Sequence, residues 1–369
     1  MDYLPQRQAD ATRDLDGLDA LLITNPTNVR YLSGFTGTSA YLVCSPAKTV
    51  LVTDARYSEQ AAEECKAIEV VVRPHTQTVE QAAAAALTSL AATSVGLEGS
   101  ATLGQLHALQ QAGPNLTFAP VVGRVEALRA VKDPGEVAAI RHAVRVAERA
   151  FRMAVHRIDG RHTEKDVHDL MDACLRRAGA TASAFPPITA VGGRAARPHA
   201  HPDPAVTVAD AGLLLLDWGA DCGYMSDLTR TVRTPFAVPA GFHFDEIYGA
   251  VCRAHDAAVA RIRPGVAATD VDAAARKALA DARLRDNPGF DLAACFTHGL
   301  GHGLGLDVHE LPRVRADSRD VLQAGMVITV EPAVYLPGWG AVRIEDDYLV
   351  TADGWERLSS LPREPNVIL

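Results

Sequence analysis

The 369-residue sequence has no Cys-x-x-Cys pair, no Gly-Lys dipeptide, no Gly-x-Ser-x-Gly and no His-Glu-x-x-His. Its six cysteines, Cys44, Cys65, Cys174, Cys222, Cys252 and Cys295, are scattered, which speaks against a zinc cage or a disulfide frame and suits reduced, mostly buried thiols. Cys222 reads as packing even though it lies near acids discussed below. The glycines of residues 297–310 fit neither phosphate-loop pattern. A serine hydrolase lacks its elbow, and Arg313 stands where a zincin helix would need its second histidine. Long apolar runs are missing too: the N-terminus MDYLPQRQADATRDLDG is polar, and the Ala-rich stretch 81–92 is too short and too weakly hydrophobic to span a bilayer. The expected location is the cytoplasm, with no membrane partner. Lys and Arg number 36 against 45 Asp and Glu, a net charge of -9 that leaves no electrostatic footprint for nucleic acid. A small molecule or a peptide is the expected partner.

What is present is the composition of a globular enzyme, with 48% apolar and 22% charged residues, on a chain long enough for two domains. The first third alternates strand-like runs (LDALLIT, AYLVC, TVLVTDA, IEVVV, SVGLEG) with amphipathic ones (NPTNVRYLSGF, ARYSEQAAEECKA), the rhythm of a small α/β domain. The Pro/Gly-marked stretch QAGPNLTFAPVVGR reads as extended, and the boundary is placed there, giving domains 1–123 and 124–369. Beyond it, Asp133-Pro134 opens a long capped helix and a second follows from Thr163 to Arg177. Strand-like runs PPITAVG, LLLLDWG and YMSDLTRTVRT come next, then helical stretches at 242–261 and 269–282, then MVITVEPAVYL and AVRIEDDYLVT. The second domain is therefore α+β, with helices grouped before and between the strands of one sheet.

Four acids fall where strands are expected to be buried: Asp217, Asp227, Glu331 and Glu345. Any one alone is an ordinary strand-end salt bridge or turn cap. Together they are costly, because buried carboxylates need a partner, and only Arg230, Arg233 and Arg343 lie nearby in sequence. Between the second and third acid sits THGLGHGLGLDVHE, Thr297 to Glu310. A pair of divalent ions sharing carboxylates would satisfy four acids and an imidazole at once. The glycines make a helix over His298 and His302 improbable, so that pair need not bind one ion.

These stretches resemble the pita-bread metallopeptidases of the methionine aminopeptidase/prolidase group. The matching pieces are Pro198-His199, DWGADCGYMSDLTRT from Asp217 to Thr231, HGLGHGLGLDVHE from His298 to Glu310, VEP from Val330 to Pro332, and RIED from Arg343 to Asp346, in the family's order. The loop between Asp217 and Asp227 is one residue shorter than is common among Xaa-Pro-cleaving members. The resemblance implies two metals held by Asp217, Asp227, His302, Glu331 and Glu345, with Asp227 and Glu345 bridging. It implies that Glu331 relays a proton while His199 and His309 orient substrate and stabilise the tetrahedral intermediate. His298 is then a supporting residue, Arg343 orients carboxylates, and no organic cofactor is implied. A metal-activated water would attack the carbonyl before proline. The oxygen-rich donor set favours Mn²⁺, with Co²⁺ or Zn²⁺ as substitutes.

TNPTNVRYLSGFTGTSAYLV and TDARYSEQA resemble the N-terminal domain of Xaa-Pro aminopeptidases and dipeptidases, which methionine aminopeptidases lack. The expected enzyme is a dinuclear-metal exopeptidase, an α/β N-terminal domain joined to an α+β pita-bread domain, acting on peptides with proline in second position. TDARYSEQA inclines the reading to the aminopeptidase over the dipeptidase (prolidase). A homodimer is implied, in which Arg56 and Tyr57 of the first domain could limit substrate length. A metal-free creatinase-like hydrolase or a non-catalytic peptide-binding protein shares the plan, but all five ligand positions keep their side chains here.

Overall fold

The computed structural model describes residues 3–364. The chain divides into two compact units, Met1–Arg129 and Ala130–Leu369. In the first, helices α1 (Leu4–Ala11), α2 (Pro26–Ser33), α3 (Ser58–Glu64), α4 (Val79–Ser89), α5 (Leu103–Ala112) and α6 (Arg124–Ala130) accompany a six-stranded sheet. Its strands are β1 (Ala20–Ile23), β2 (Ala40–Cys44), β3 (Thr49–Asp54), β4 (Glu69–Arg73), β5 (Ser94–Glu98) and β6 (Thr117–Val121), in the order β4-β3-β2-β1-β5-β6. Strands β1 to β3 are buried along nearly their whole length, as their continuous apolar runs require.

The stretch read as a boundary, 113–124, is instead built into this sheet: Thr117–Val121 is its edge strand, parallel to β5. Only an edge tolerates Pro120, which has no N–H to give, and half-exposed edge residues show little apolar periodicity. The compact units part six residues later than 123/124, because α6 is tied to the first unit. Arg124 Nε donates to the Ala11 carbonyl at 2.6 Å and Arg129 Nη1 to Asn28 Oδ1 at 2.8 Å.

The second unit opens with helices α7 (Pro134–Val155) and α8 (Glu164–Ala178), followed by β7 (Ala182–Ser183), β8 (Ile188–Val191), β9 (Leu213–Trp218), β10 (Ala220–Asp221) and β11 (Leu228–Arg233). Helices α9 (Phe244–Val259) and α10 (Ala268–Ala280) then precede β12 (Gly301–Gly303), β13 (Glu310–Val314), β14 (Val327–Val330), β15 (Ala333–Leu336), β16 (Gly340–Val350) and β17 (Trp355–Arg357). The main sheet runs β13-β12-β14-β16-β11-β9-β8. Each half therefore supplies a helix pair and then strands, and the two sets of strands meet where β11 pairs with β16. Of the cysteines, Cys44, Cys65 and Cys174 are buried and the other three half-buried, all as free thiols. Among the described residues no helix is long and apolar enough to cross a membrane.

Helix α7 shows how local signals set the frame. Asp133 accepts from the Gly135 and Glu136 amides at 2.8 and 2.9 Å, and the Glu136 carboxylate returns a bond to the Asp133 amide. Its apolar stripe, including Ala147 and Phe151, is buried. The ring of Phe151 stacks 4.6 Å from Trp218, whose indole N–H donates to the Ala147 carbonyl at 3.0 Å. Trp218 is the neighbour of Asp217, so the packing that seats the helix also seats that acid. Replacing Asp133 with Ala removes the cap, and a loss of about 1 kcal/mol is expected in denaturant unfolding, with secondary structure retained by circular dichroism.

Candidate metal centre

Strand pairing alone brings the acids together. Thr229 on β11 lies opposite Asp217 on β9 and opposite Glu345 on β16, so the three side chains form one row on one face of the sheet. Asp227 precedes Thr229 by two positions and shares its face, and the hairpin between Asp217 and Asp227 leaves both carboxylates in this register. Glu331 follows the Val330–Asp346 pair of β14 and β16, its amide held by the Leu300 carbonyl at 2.8 Å. His302 comes in from β12, with its amide donating to Thr329 Oγ1 at 3.1 Å. Ligand atoms of Asp227, His302 and Glu345 all lie within 4.8 Å of one another.

The electrostatics of this row are strained. Burial pushes Asp217, Asp227 and Glu331 above the ordinary carboxyl range, with Glu345 adding to the last two, and lifts Glu345 to about 8. Arg343 is the only cation in the row: it pairs with Asp217, donates to Thr229 Oγ1 at 3.0 Å and to the Tyr335 hydroxyl at 2.8 Å. Thr229 in turn donates to Glu345 at 2.7 Å. One guanidinium cannot neutralise four carboxylates.

The donor chemistry fits divalent cations. Asp217 Oδ1 is buried without a hydrogen-bond partner. His302 Nε2 stands 3.7 Å from Asp227 Oδ2 and 3.6 Å from Glu331 Oε1, too far for hydrogen bonds yet turned to a common region. Burial lowers the His302 pKa to about 4, so its imidazole is neutral, and its Nδ1–H is given to the Gly303 carbonyl at 3.1 Å. The lone pair is then on Nε2, facing the acids, as a metal-binding imidazole requires.

His298 is differently used. Nδ1 donates to the Gly299 carbonyl at 2.7 Å and Nε2 accepts from the Tyr335 hydroxyl at 2.8 Å, so neither nitrogen is left for an ion. His309 is exposed as a residue, but its ring lies 4.3 Å from that of His302, and this partial burial depresses its pKa. His199 sits on an exposed turn after β8, near enough to Asp217, His298 and His309 to influence their charge. The five expected metal ligands with His298, His309, His199 and Arg343 thus lie at or beside one site, whereas Arg56 and Tyr57 find their partners within the first unit. Sequence reading missed Thr229, Tyr335 and Asp347. Asp347 is one strand period beyond Glu345, buried, with Oδ2 accepting from the Asp227 amide at 3.3 Å and Oδ1 unpartnered. Counting by two along RIEDD would have found it.

A pH dependence follows for the metal-free protein. A carboxyl whose pKa is raised on folding favours the fold while protonated, and that contribution is lost as pH climbs through the folded value. His298 and His302, lowered to about 4, act in the opposite sense, but only below about 6.5, where an unfolded histidine titrates. From there to the value of about 8 for Glu345 the acids set the slope. The melting temperature of chelated protein is expected to fall between these limits and to recover on adding Mn²⁺. A flat or rising profile would show that the acids do not carry this strain.

Comparison with known proteins agrees with this geometry. Residues 138–352 match the model of metallopeptidase family M24, and residues 8–131 match the creatinase/prolidase N-terminal domain. An Xaa-Pro dipeptidase of Pyrococcus horikoshii is 33% identical over 95% of this chain and 95% of its own. Among solved structures, an Xaa-Pro dipeptidase from Bacillus anthracis superposes with a TM-score of 0.91 at 32% identity, covering 99% of this chain and 100% of that one. An X-Pro aminopeptidase from Thermotoga maritima gives 0.85 at 31% identity, covering 95% and 97%. The chain belongs to metallopeptidase family M24, as a metallo-exopeptidase that joins the pita-bread catalytic domain to a creatinase/prolidase N-terminal domain.

Proposed function

We propose that this enzyme hydrolyses the peptide bond before proline, with Xaa-Pro dipeptides as its preferred substrates. The reading is carried by the row Asp217, Asp227, Glu331 and Glu345 closed by the lone pair of His302. Two divalent ions held by these five residues, shared by Asp227 and Glu345, would acidify a water and polarise the scissile carbonyl. Mn²⁺ is the expected ion on this donor set. Glu331, facing His302 Nε2 across 3.6 Å, is the carboxylate we assign to take the proton from the attacking water and pass it to the leaving proline nitrogen. To His309 and His199, both exposed, we assign the hydrogen bonds to the substrate carbonyl and to the oxyanion that develops from it. Arg343 and Tyr335 hold Asp217 and His298 in place while this happens. The homodimer and the cytoplasmic location expected from sequence belong to the same proposal.

The dipeptide is put first because the named relatives above include Xaa-Pro dipeptidases of two organisms. The segment that inclined the sequence reading to an aminopeptidase is occupied by local duties. Arg56 forms a two-pronged bond to Asp54, at 2.9 Å on each prong, and Tyr57 meets Thr38 at 2.8 Å and the Phe35 ring at 5.6 Å. The likeness to the Thermotoga maritima aminopeptidase keeps release of a first residue from longer peptides as the second reading.

Chelated protein given Ala-Pro or Ala-Pro-Ala, with and without Mn²⁺, separates these readings. Metal-dependent cleavage with the dipeptide strongly preferred is expected, and equal or faster cleavage of the tripeptide would move the enzyme to the aminopeptidase reading. Activity that survives chelation, or no cleavage of either peptide, would defeat the proposal. Asp227→Asn should cost at least about a hundredfold in turnover, beyond what loss of a supporting contact costs, with the melting temperature of the chelated protein not lowered.

A further inference from the structure

The segment 304–310, which carries His309 between β12 and β13, has no regular structure until Glu310. Backbone bonds hold its start: the Leu304 amide donates to the Val327 carbonyl and the Gly305 amide to the Asp307 carbonyl, each at 3.1 Å. The Glu310 carboxylate adds to these. Its Oε1 accepts from the Asp307 amide at 2.9 Å, closing the turn, and its Oε2 meets Lys132 Nζ at 3.2 Å. The side chains of this ion pair are only 1% and 4% exposed. Gly305 lies against the same carboxylate, since a Cβ there would come within 2.6 Å of Glu310 Oε2, and its carbonyl accepts from the Met225 amide at 2.8 Å, two residues before Asp227. Lys132 is itself anchored, with its amide on the Gly325 carbonyl at 3.0 Å and Val131 bridged to Met326. It directly precedes Asp133, the cap of α7.

We propose that Lys132 is a positioning residue that acts through Glu310 to fix the turn bearing His309. The inference rests on the substrate-facing role given to His309 above. In low dielectric the pair is strong and directional, and both oxygens of Glu310 are engaged, so the turn has one seated arrangement. Without Lys132 the buried carboxylate loses this ion pair, and with it the directional hold on the turn, which can then swing out to water. Lys132 is not one of the five residues assigned to the ions, so its loss should leave ion binding largely intact and cost the chemical step.

The test uses Lys132→Met and, because losing a buried counter-charge could unfold the protein, Lys132→Met combined with Glu310→Gln, which keeps an acceptor for the Asp307 amide. In both, Mn²⁺ affinity by calorimetry is expected to match that of the parent. Hydrogen exchange in 304–310 should speed up by roughly tenfold or more while 342–348 is unchanged. Turnover of Ala-Pro should fall by roughly tenfold to a hundredfold, as for a misplaced group near the reacting atoms. Adding His309→Ala to the double variant should cost far less than the same change in the parent, because the two act through one element. Unchanged exchange in 304–310, or turnover in the double variant equal to the parent's, would overturn the inference. If the parent itself does not cleave Ala-Pro, the functional reading falls, while the exchange measurement still decides the clamp.

Discussion

Carboxylate repulsion in a dry space is the constraint from which the second unit is built. Asp217, Asp227, Glu331, Glu345 and Asp347 crowd one face of a sheet whose only cation there is Arg343. Burial works against the charge of Arg343, yet Tyr335 and the surrounding acids hold it protonated, so it is fully committed. A protein that needed only a stable core would not assemble such a row, since apolar residues of the same volume would pack there at no electrostatic cost. The row makes physical sense as one half of a binding equilibrium whose other half is cationic. Metal affinity and the strain of the metal-free fold are then two views of the same charges.

Holding this row demands close backbone approach around His302, and the glycines of THGLGHGLGLDVHE supply it. A Cβ at Gly301 would fall 2.1 Å from the Thr329 carbonyl oxygen, and one at Gly303 would fall 2.0 Å from the Leu311 carbonyl oxygen. Any side chain at either position would push β12 away from its neighbours and carry the imidazole of His302 with it. Residues 296–300, just ahead, are gripped by side chains of α10. Arg276 donates to the carbonyls of Phe296 and His298 at 2.9 and 2.5 Å, and Asp272 accepts from the Leu300 amide at 3.1 Å. The stretch is therefore glycine-rich and still rigid in design, with its order imposed from outside.

This explains what the sequence disclosed and what it withheld. The acids at strand ends were legible because a charged residue closing an apolar run is locally anomalous, and the cap at Asp133 because its pattern is contiguous. Helices α4 and α5 carry equally contiguous capping boxes, Thr78 with Gln81 and Thr102 with Gln105, and could have been read the same way. The edge strand β6 reads as extended from sequence but also as a domain boundary, because half-exposed residues and a proline imitate one. Lys132 with Glu310, and Asp272 with the 296–300 segment, were out of reach for a different reason. Each joins residues far apart in sequence, and neither end looks unusual until the fold makes them neighbours.

Consecutive residues of β16 make the underlying logic plain. Glu345 and Asp347 point to the face of the row, where burial keeps both above the usual range, with the charge of Asp217 adding to Glu345 and that of Glu345 adding to Asp347. Asp346, between them, points the other way. Burial pushes it up as well, but Arg230 and Arg357 outweigh that and bring it to about 2, with Ser359 donating to the same oxygen at 2.6 Å. Arg230 also donates to the Glu345 carbonyl at 2.7 Å and the Thr229 carbonyl at 2.8 Å, and is itself stapled by the carbonyls of Leu361 and Pro362. The charge of Asp346 is thus balanced on the back face by Arg230 and Arg357, although its Oδ2 has no hydrogen-bond partner, and Arg230 clamps the backbone of the very residues whose side chains are left in deficit in front. A strand that alternates charge-balanced and unbalanced acids can be rigid where geometry matters and electron-rich where ions are to be held. Neither property would survive a shift in register by one residue, which would exchange the two faces.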